Sequence, residues 1–212
     1  MSKKTISIDI KKIIVLIIMI AIGVVIVNTV KNTPKEKSKM KELYSKLEAS
    51  EQYKFTMDDG KNKTIIAQNG KNTIIDMYTE KEHVSTLVKD NNTYYILHDK
   101  EEYYTYEDNE KDEKILLSEL QPIVEKEATN GKEKIQGKTY NYEEYDGVST
   151  FMNYIGLGIN TENIKTKFYF QGKNLKYIKT INDGEETLQK IDITYEAPSE
   201  LFEIPNNYAE NG

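Results

Sequence analysis

From Tyr53 to Glu107 the sequence keeps reversing direction: short stretches of strand-forming residues are separated by three to five residues of turn-forming type. Tyr53, Phe55 and Met57 alternate with Lys54, Thr56 and Asp58, and DDGKN (58–62) then breaks the pattern. Strand candidates follow at 64–68, 73–79, 83–89, 93–98 and 102–107, with NGKN, TEKE, DNN and DKE between them. Separators this short leave no room for a crossover connection, so consecutive strands are predicted to pair antiparallel. In NNTYYILHDKEEYYTYE (91–107), Tyr94 and Ile96 fall on one face while Tyr95 and Leu97 fall on the other. A sheet that is apolar on both faces needs cover on both, or must curl around something. Tyrosine suits such positions, because its ring packs while its hydroxyl reaches water or a partner. The Tyr runs are therefore read first as cross-strand packing, with a ligand-stacking platform as the functional alternative.

Two segments break the period of two. Met40, Leu43, Tyr44 and Leu47 in KSKMKELYSKLEAS have i, i+3, i+4, i+7 spacing, with Ser38 placed to cap an amphipathic helix. Between 112 and 128, Leu116, Leu117, Leu120, Ile123 and Val124 form a second apolar stripe. Ser118 with Gln121 has capping-box spacing, which would put Pro122 in a first turn, where its missing N–H costs nothing. Strands then resume at 139–145, 148–154, 164–170, 175–181 and 188–195, with QGKN and NDGEE as hairpin turns.

Ahead of all this, residues 13–27 (IIVLIIMIAIGVVIV) are uninterruptedly apolar and follow Lys3, Lys4, Lys11 and Lys12. As a helix the block is roughly 23 to 27 Å long, enough to span a bilayer core with little tilt. VNTVKNT offers no small-x-small cleavage site, so an uncleaved signal anchor is expected. The predicted organisation is a short basic cytoplasmic tail (1–12), a transmembrane signal anchor (13–30), a linker (31–37), an extracytoplasmic β domain (38–208) and a tail (209–212). The expected location is the cell membrane, single-pass, with the bulk of the chain outside the cytoplasm. The linker reaches about 25 Å at most, so the domain would stay near the membrane surface.

Composition removes several function classes. All 29 basic residues are lysine, and the net charge of the 212-residue chain is -6. Without the arginine fork or a basic surface, nucleic acid is not an expected partner. With no cysteine there is no disulfide, thiolate metal site, catalytic thiol or lipid-modified cysteine. An exported chain without cysteine is in keeping with a Gram-positive cell envelope. His83 and His98 are the only histidines, and neither has a carboxylate or second histidine at local ligand spacing, so no metal site is expected. No G-x-S-x-G elbow is present, and Gly156-Leu157-Gly158 lacks the third glycine of a phosphate loop. Asp108, Glu110, Asp112 and Glu113 lack calcium-loop spacing. Glu143 and Glu144, adjacent on a strand, point to opposite faces and could not act on one bond. The chain offers no catalytic triad, no metal site and no cofactor motif, and is not expected to be an enzyme.

The ending YEAPSELFEIPNNY (195–208), after FYFQGKNLKYIKT and QKIDITYE, resembles the LolA, LolB and LppX-like family of extracytoplasmic lipoprotein and lipid carriers. The order of elements is similar too: an amphipathic helix, meandering strands with NNTYYILHDKEEYYTY among them, a helical insert and more strands. The resemblance implies a mainly β, α+β domain, with a strongly curved antiparallel half-barrel and helices on its concave side. It also implies an apolar cavity for acyl chains. Carriers of this type are soluble or lipid-anchored, so a transmembrane anchor points to holding or sensing a ligand rather than shuttling it. The arginine with which the soluble carrier meets its cargo has no counterpart, and no functional residue is carried over. Candidate cavity-lining residues are Met40, Leu43, Leu47, Phe55, Val84, Val88, Phe168, Phe170, Ile191 and Ile193. Each is equally suited to a plain core. The expected partners are the membrane, through the N-terminal helix, and a lipid, an acyl chain or a lipidated peptide. The alternative is an envelope protein bound by a module with a filled core and no small ligand.

Overall fold

The structure, a computed structural model, describes residues 37–107, 115–147 and 164–211. The anchor at 13–30, the strand at 148–154, the Gly156–Gly158 motif and the acidic run from Asp108 to Glu113 lie outside them. Among the described residues no helix is long and apolar enough to cross a membrane.

Six strands, β1 (Gln52–Asp58), β2 (Lys63–Asn69), β3 (Asn72–Tyr78), β4 (His83–Lys89), β5 (Asn92–Leu97) and β6 (Glu102–Glu107), form the expected meander. A second runs through β7 (Thr129–Ile135), β8 (Lys138–Asp146), β9 (Lys165–Gln171), β10 (Asn174–Asn182) and β11 (Glu185–Thr194). Pairing of β1 with β11, Phe55 opposite Ile193 and Met57 opposite Ile191, fuses both into one open sheet. A short last strand, β12 (Ala209–Glu210), lies in what was expected to be a tail and runs parallel to β6, whereas the other described pairs are antiparallel. The order is β12-β6-β5-β4-β3-β2-β1-β11-β10-β9-β8-β7. Tight turns set the registers. Asp90 and Asn91, at φ 53° and 63°, reverse the chain between β4 and β5 with the mirror-type geometry that matches strand twist.

β7 carries no apolar alternation, because in TNGKEKI only Ile135 is buried. It is a polar edge strand, and lysines at 132 and 134 discourage further pairing. Gly131 makes room for the Tyr142 ring lying over it, since a Cβ would come within 2.4 Å of that ring and force it to shift.

Among the described residues, two helices cover one face of the sheet. In α1 (Lys39–Glu48), Met40, Leu43 and Leu47 are buried. In α2 (Ile115–Val124), Leu116, Leu117, Leu120 and Ile123 are buried. Together they pack on Tyr53, Phe55, Met57, Ile66, Ile75, Phe168, Phe170, Ile178 and Ile191. Pro122 sits in the last turn of α2, not the first. It forfeits one helical bond two residues before the helix stops, which is why it is tolerated. Ser118 forms no capping box; its hydroxyl donates back to the Ile115 carbonyl at 2.8 Å.

The start of α1 is fastened to the sheet by one carboxylate. Glu143 on β8 is buried. It accepts from the Lys39 and Met40 amides at 2.5 and 3.2 Å, and from the Ser38 and Tyr145 hydroxyls at 2.9 Å each. The Ser38 Oγ in turn accepts from the Lys41 amide at 3.2 Å, so the expected N-cap forms. A negative charge is favoured at the positive end of a helix, and its four donors compensate its burial.

On the opposite face, Ala197, Leu201, Phe202, Ile204 and Tyr208 of the C-terminal segment pack over Ile65, Ala67, Ile74, Leu87 and Ile96. Lys89 helps hold them, donating to the Phe202 carbonyl at 3.2 Å and pairing with Glu203 at 3.0 Å. Toward β7 the same face carries a polar knot in which Glu133 accepts from Lys179 (2.7 Å), Lys167 (3.0 Å) and Tyr169 (2.9 Å).

Two outcomes are expected. Glu143→Ala should cost about 3 kcal/mol, because it strands several buried donors, and Ser38→Ala only about 1 kcal/mol. Urea denaturation of both variants checks the ranking. The hydrogen bond from Lys179, followed by those from Lys167 and Tyr169, lowers the Glu133 carboxyl from 4.5 to about 2. The stability it supplies is complete above pH 4.5 and drains away as pH falls toward 2. Glu133→Gln should therefore be less stable at neutral pH and lose less further stability across that window, as read from denaturation midpoints at each pH.

Candidate functional site

A groove of about 380 Å³ runs along the outer side of α1, where the helix meets the β9–β10 hairpin and β11. Leu43, Leu175, Ile193 and Tyr195 supply apolar surface, and Glu42, Lys46, Lys173, Asn174 and Lys176 supply the polar lining. The amphipathic register of α1 creates this mixture, since Leu43 points inward while Glu42 and Lys46, four apart, edge the groove. The Lys46 ammonium lies 3.6 Å from the Tyr195 ring centroid, and Lys173 pairs with Glu42 at 3.1 Å. Three lysines against one glutamate leave the lining positive.

Of the ten residues expected to line a cavity, Leu43 and Ile193 border this groove. Met40, Leu47, Phe55, Phe168, Phe170 and Ile191 belong to the packed core between helices and sheet. Val84 is buried and Val88 half-buried on β4, outside that cluster. Among the described residues, the Tyr53 hydroxyl and the Gln68 side-chain oxygen are buried with no hydrogen-bond partner. The two residues are directly opposite in the β1–β2 register.

The tyrosine runs divide by face. Tyr94 and Tyr103 sit beneath the C-terminal segment, ring centroids 6.2 Å apart. Tyr95 and Tyr104 are cross-strand partners on the face that carries the helices, with Tyr106 beside them. There Tyr95 is 39% and Tyr106 57% exposed.

A second constellation joins residues that the sequence keeps apart. β3, β4 and the residue after β5 bring Asp76, His83 and His98 together on the face covered by the C-terminal segment, one donor atom of each lying within 4.8 Å of the others. Sequence spacing hid this, because strand pairing supplies the proximity. His83 Nε2 is 2.7 Å from Asp76 Oδ1, and the imidazoles stack with centroids 3.7 Å apart and planes 8° from parallel. Tyr78 stacks on the outer side of His83 at 3.9 Å. Ser85 Oγ donates to Asp76 Oδ1 at 2.7 Å and lies 2.7 Å from His98 Nε2. His98 Nδ1 is 3.0 Å from the Tyr208 hydroxyl.

These contacts are mutually consistent for a neutral His98 that accepts from Tyr208 at Nδ1 and donates from Nε2 to Ser85. Burial, and then the neighbouring His83, push the His98 imidazole below its ordinary range. Burial and the nearby Asp76 carboxylate raise the Tyr78 phenol to about 12. Serine, histidine and aspartate are all present, yet the order is wrong for hydrolysis. The carboxylate holds the serine rather than histidine Nδ1, and Ser85 is 1% exposed.

No protein-family model and no curated protein matches the chain. Among solved structures, an uncharacterized conserved protein from Thermus thermophilus aligns with a TM-score of 0.46 and 6% identity. That alignment covers 82% of this chain and 99% of the other. At that similarity it speaks to neither family nor activity.

Tyr208→Phe removes a hydroxyl contact between His98 and the C-terminal segment. The Ala209 and Asn211 amides, bonded to the Glu101 and Tyr103 carbonyls, should then exchange with solvent roughly fivefold faster, matching the loss of about 1 kcal/mol. Amides of β1 should be unchanged in the same hydrogen-exchange measurement.

Proposed function

We propose that this chain is a membrane-tethered extracytoplasmic binding protein, LolA-like in architecture and without catalytic activity. In this reading it holds or senses an amphiphile in the groove beside α1. The apolar part of an acyl chain, lipid or lipidated peptide would lie against Leu43, Leu175, Ile193 and Tyr195, and an acidic head would meet Lys46, Lys173 and Lys176. The observation that carries the reading is that lining: apolar surface with a surplus of lysines, in a groove of about 380 Å³, within the size range of small-ligand sites. Burial of apolar area at about 25 cal/mol per Å² supplies affinity, while the lysines orient the ligand. The implied half-barrel curvature and the N-terminal anchor belong to this proposal. In this reading the ligand would lie at the margin of the core, against Leu43 and Ile193, rather than among Phe55, Phe168 and Phe170.

A specific observation also favours an envelope-protein interaction module. Tyr95, Tyr104 and Tyr106 form a half-exposed aromatic row on β5 and β6, and tyrosine is enriched where proteins meet.

Lipid extraction and native mass spectrometry of residues 35–212 decide between the two readings. Co-purifying lipid or fatty acid is expected, with uptake of a fluorescent fatty acid weakened at least about fivefold by Lys46→Ala combined with Lys176→Ala, two polar lining residues outside the core cluster. A ligand-free domain whose dye uptake ignores both substitutions rejects the groove and leaves the tyrosine row as the interaction surface.

A further inference from the structure

We propose that Asp76, His83 and His98 form a binding site for a single borderline first-row divalent ion such as Zn²⁺. This is independent of the groove, which lies elsewhere on the domain. Two imidazoles and a carboxylate are the donor set such ions select, and three protein donors leave a coordination position for water.

The geometry carries the assignment in three ways. First, two donors come from adjacent strands and the third from the turn that follows the next one: Asp76 on β3, His83 on β4 and His98 at the start of the 3-10 turn directly after β5. Strand pairing fixes the backbones of Asp76 and His83, with Asp76 opposite Ser85 and Tyr78 opposite His83, and His98 follows directly on the Val84–Leu97 pair. Second, the spacing is close to that of a coordinated set. Donors around a tetrahedral ion at 2.0 to 2.1 Å lie roughly 3.3 Å from one another. Asp76 Oδ1 is 2.7 Å from His83 Nε2 and 4.0 Å from His98 Nε2, values that bracket that separation. Sub-ångström shifts adjust the distances. The parallel stack sets the two Nε2 lone pairs side by side, so both rings must also tilt toward the ion.

Third, the surrounding hydrogen bonds accommodate an ion without leaving a polar atom stranded. With Zn²⁺ on His98 Nε2, the ring proton moves to Nδ1 and donates to the Tyr208 oxygen 3.0 Å away. The Tyr208 proton turns to the His98 carbonyl, 3.5 Å from its hydroxyl. Ser85 gives up its contact with Nε2 and keeps its bond to Asp76. Tyr208 and Ser85 thus become the outer partners that orient a ligating imidazole and a ligating carboxylate. Asp76 is 5% exposed, so its charge is already desolvated, and a cation offers compensation that water cannot.

The test uses the full chain in detergent micelles, titrated with Zn²⁺ by calorimetry and with Co²⁺ by visible absorption. One ion per chain is expected, with a low-coordinate Co²⁺ band and movement of both imidazole ¹⁵N signals on Zn²⁺ addition. His83→Gln, His98→Gln and Asp76→Asn should each weaken binding at least about tenfold. His83 is the more exposed of the two imidazoles, so His83→Gln is the variant that retains the fold if Asp76→Asn does not. Stoichiometric binding that leaves the imidazole signals unmoved, affinity indifferent to His83→Gln, or no saturable binding would each overturn the site.

Discussion

A sheet that is apolar on both faces cannot stand in water, and every later feature of this domain answers that demand. The strands carry Phe55, Ile66 and Ile75 toward one side and Ile65, Ala67 and Ile74 toward the other. Two helices cover the first side. The other is covered by a nonregular stretch with a 3-10 turn at Ser199–Phe202, ending in a two-residue parallel strand. Because the cover on each side is built from short pieces of chain, each must be pinned by specific polar contacts as well as by burial.

Those pins are where the charged groups enter the structure. Glu143 holds the first turn of α1, Lys89 holds the Phe202 end of the C-terminal segment, and the Tyr208–His98 contact holds its last turn. Each joins residues more than a hundred positions apart. Burying Glu143, Asp76 and Ser85 is tolerable only because each is met by several partners, and a half-satisfied network would cost more than an apolar one. The features that fasten the domain are therefore also the ones with chemical potential: the stacked histidines sit where the C-terminal cover is latched, and the groove sits where α1 meets β10 and β11.

Much of the fold was legible. The period of two, the Gly- and Asn-rich separators and the heptad-like spacing of Met40, Leu43 and Leu47 are local signals, and a two-residue turn leaves a strand one partner. The polar strand β7, the Pro122 position and β12 were not legible, because an edge strand, a helix end and a two-residue parallel pair do not depend on hydrophobic alternation. Of the candidate site, Leu43 and Ile193 were named from their apolar faces. Lys173, Lys176 and Tyr195 were not, since a lysine at a hairpin turn gives no sign of which helix it will face.

The sequence by itself determined that two antiparallel meanders and two amphipathic helices would form, that the sheet would need covering on both sides, and that thiol and arginine chemistry were absent. Those are consequences of side-chain type and spacing within a few residues. Only the tertiary structure decided that β1 would pair with β11, that Glu143 would cap a helix 104 residues away from it at Lys39, and that Asp76, His83 and His98 would meet. Such contacts depend on the register of distant strands, which is set by the free energy of the whole core rather than by any local pattern.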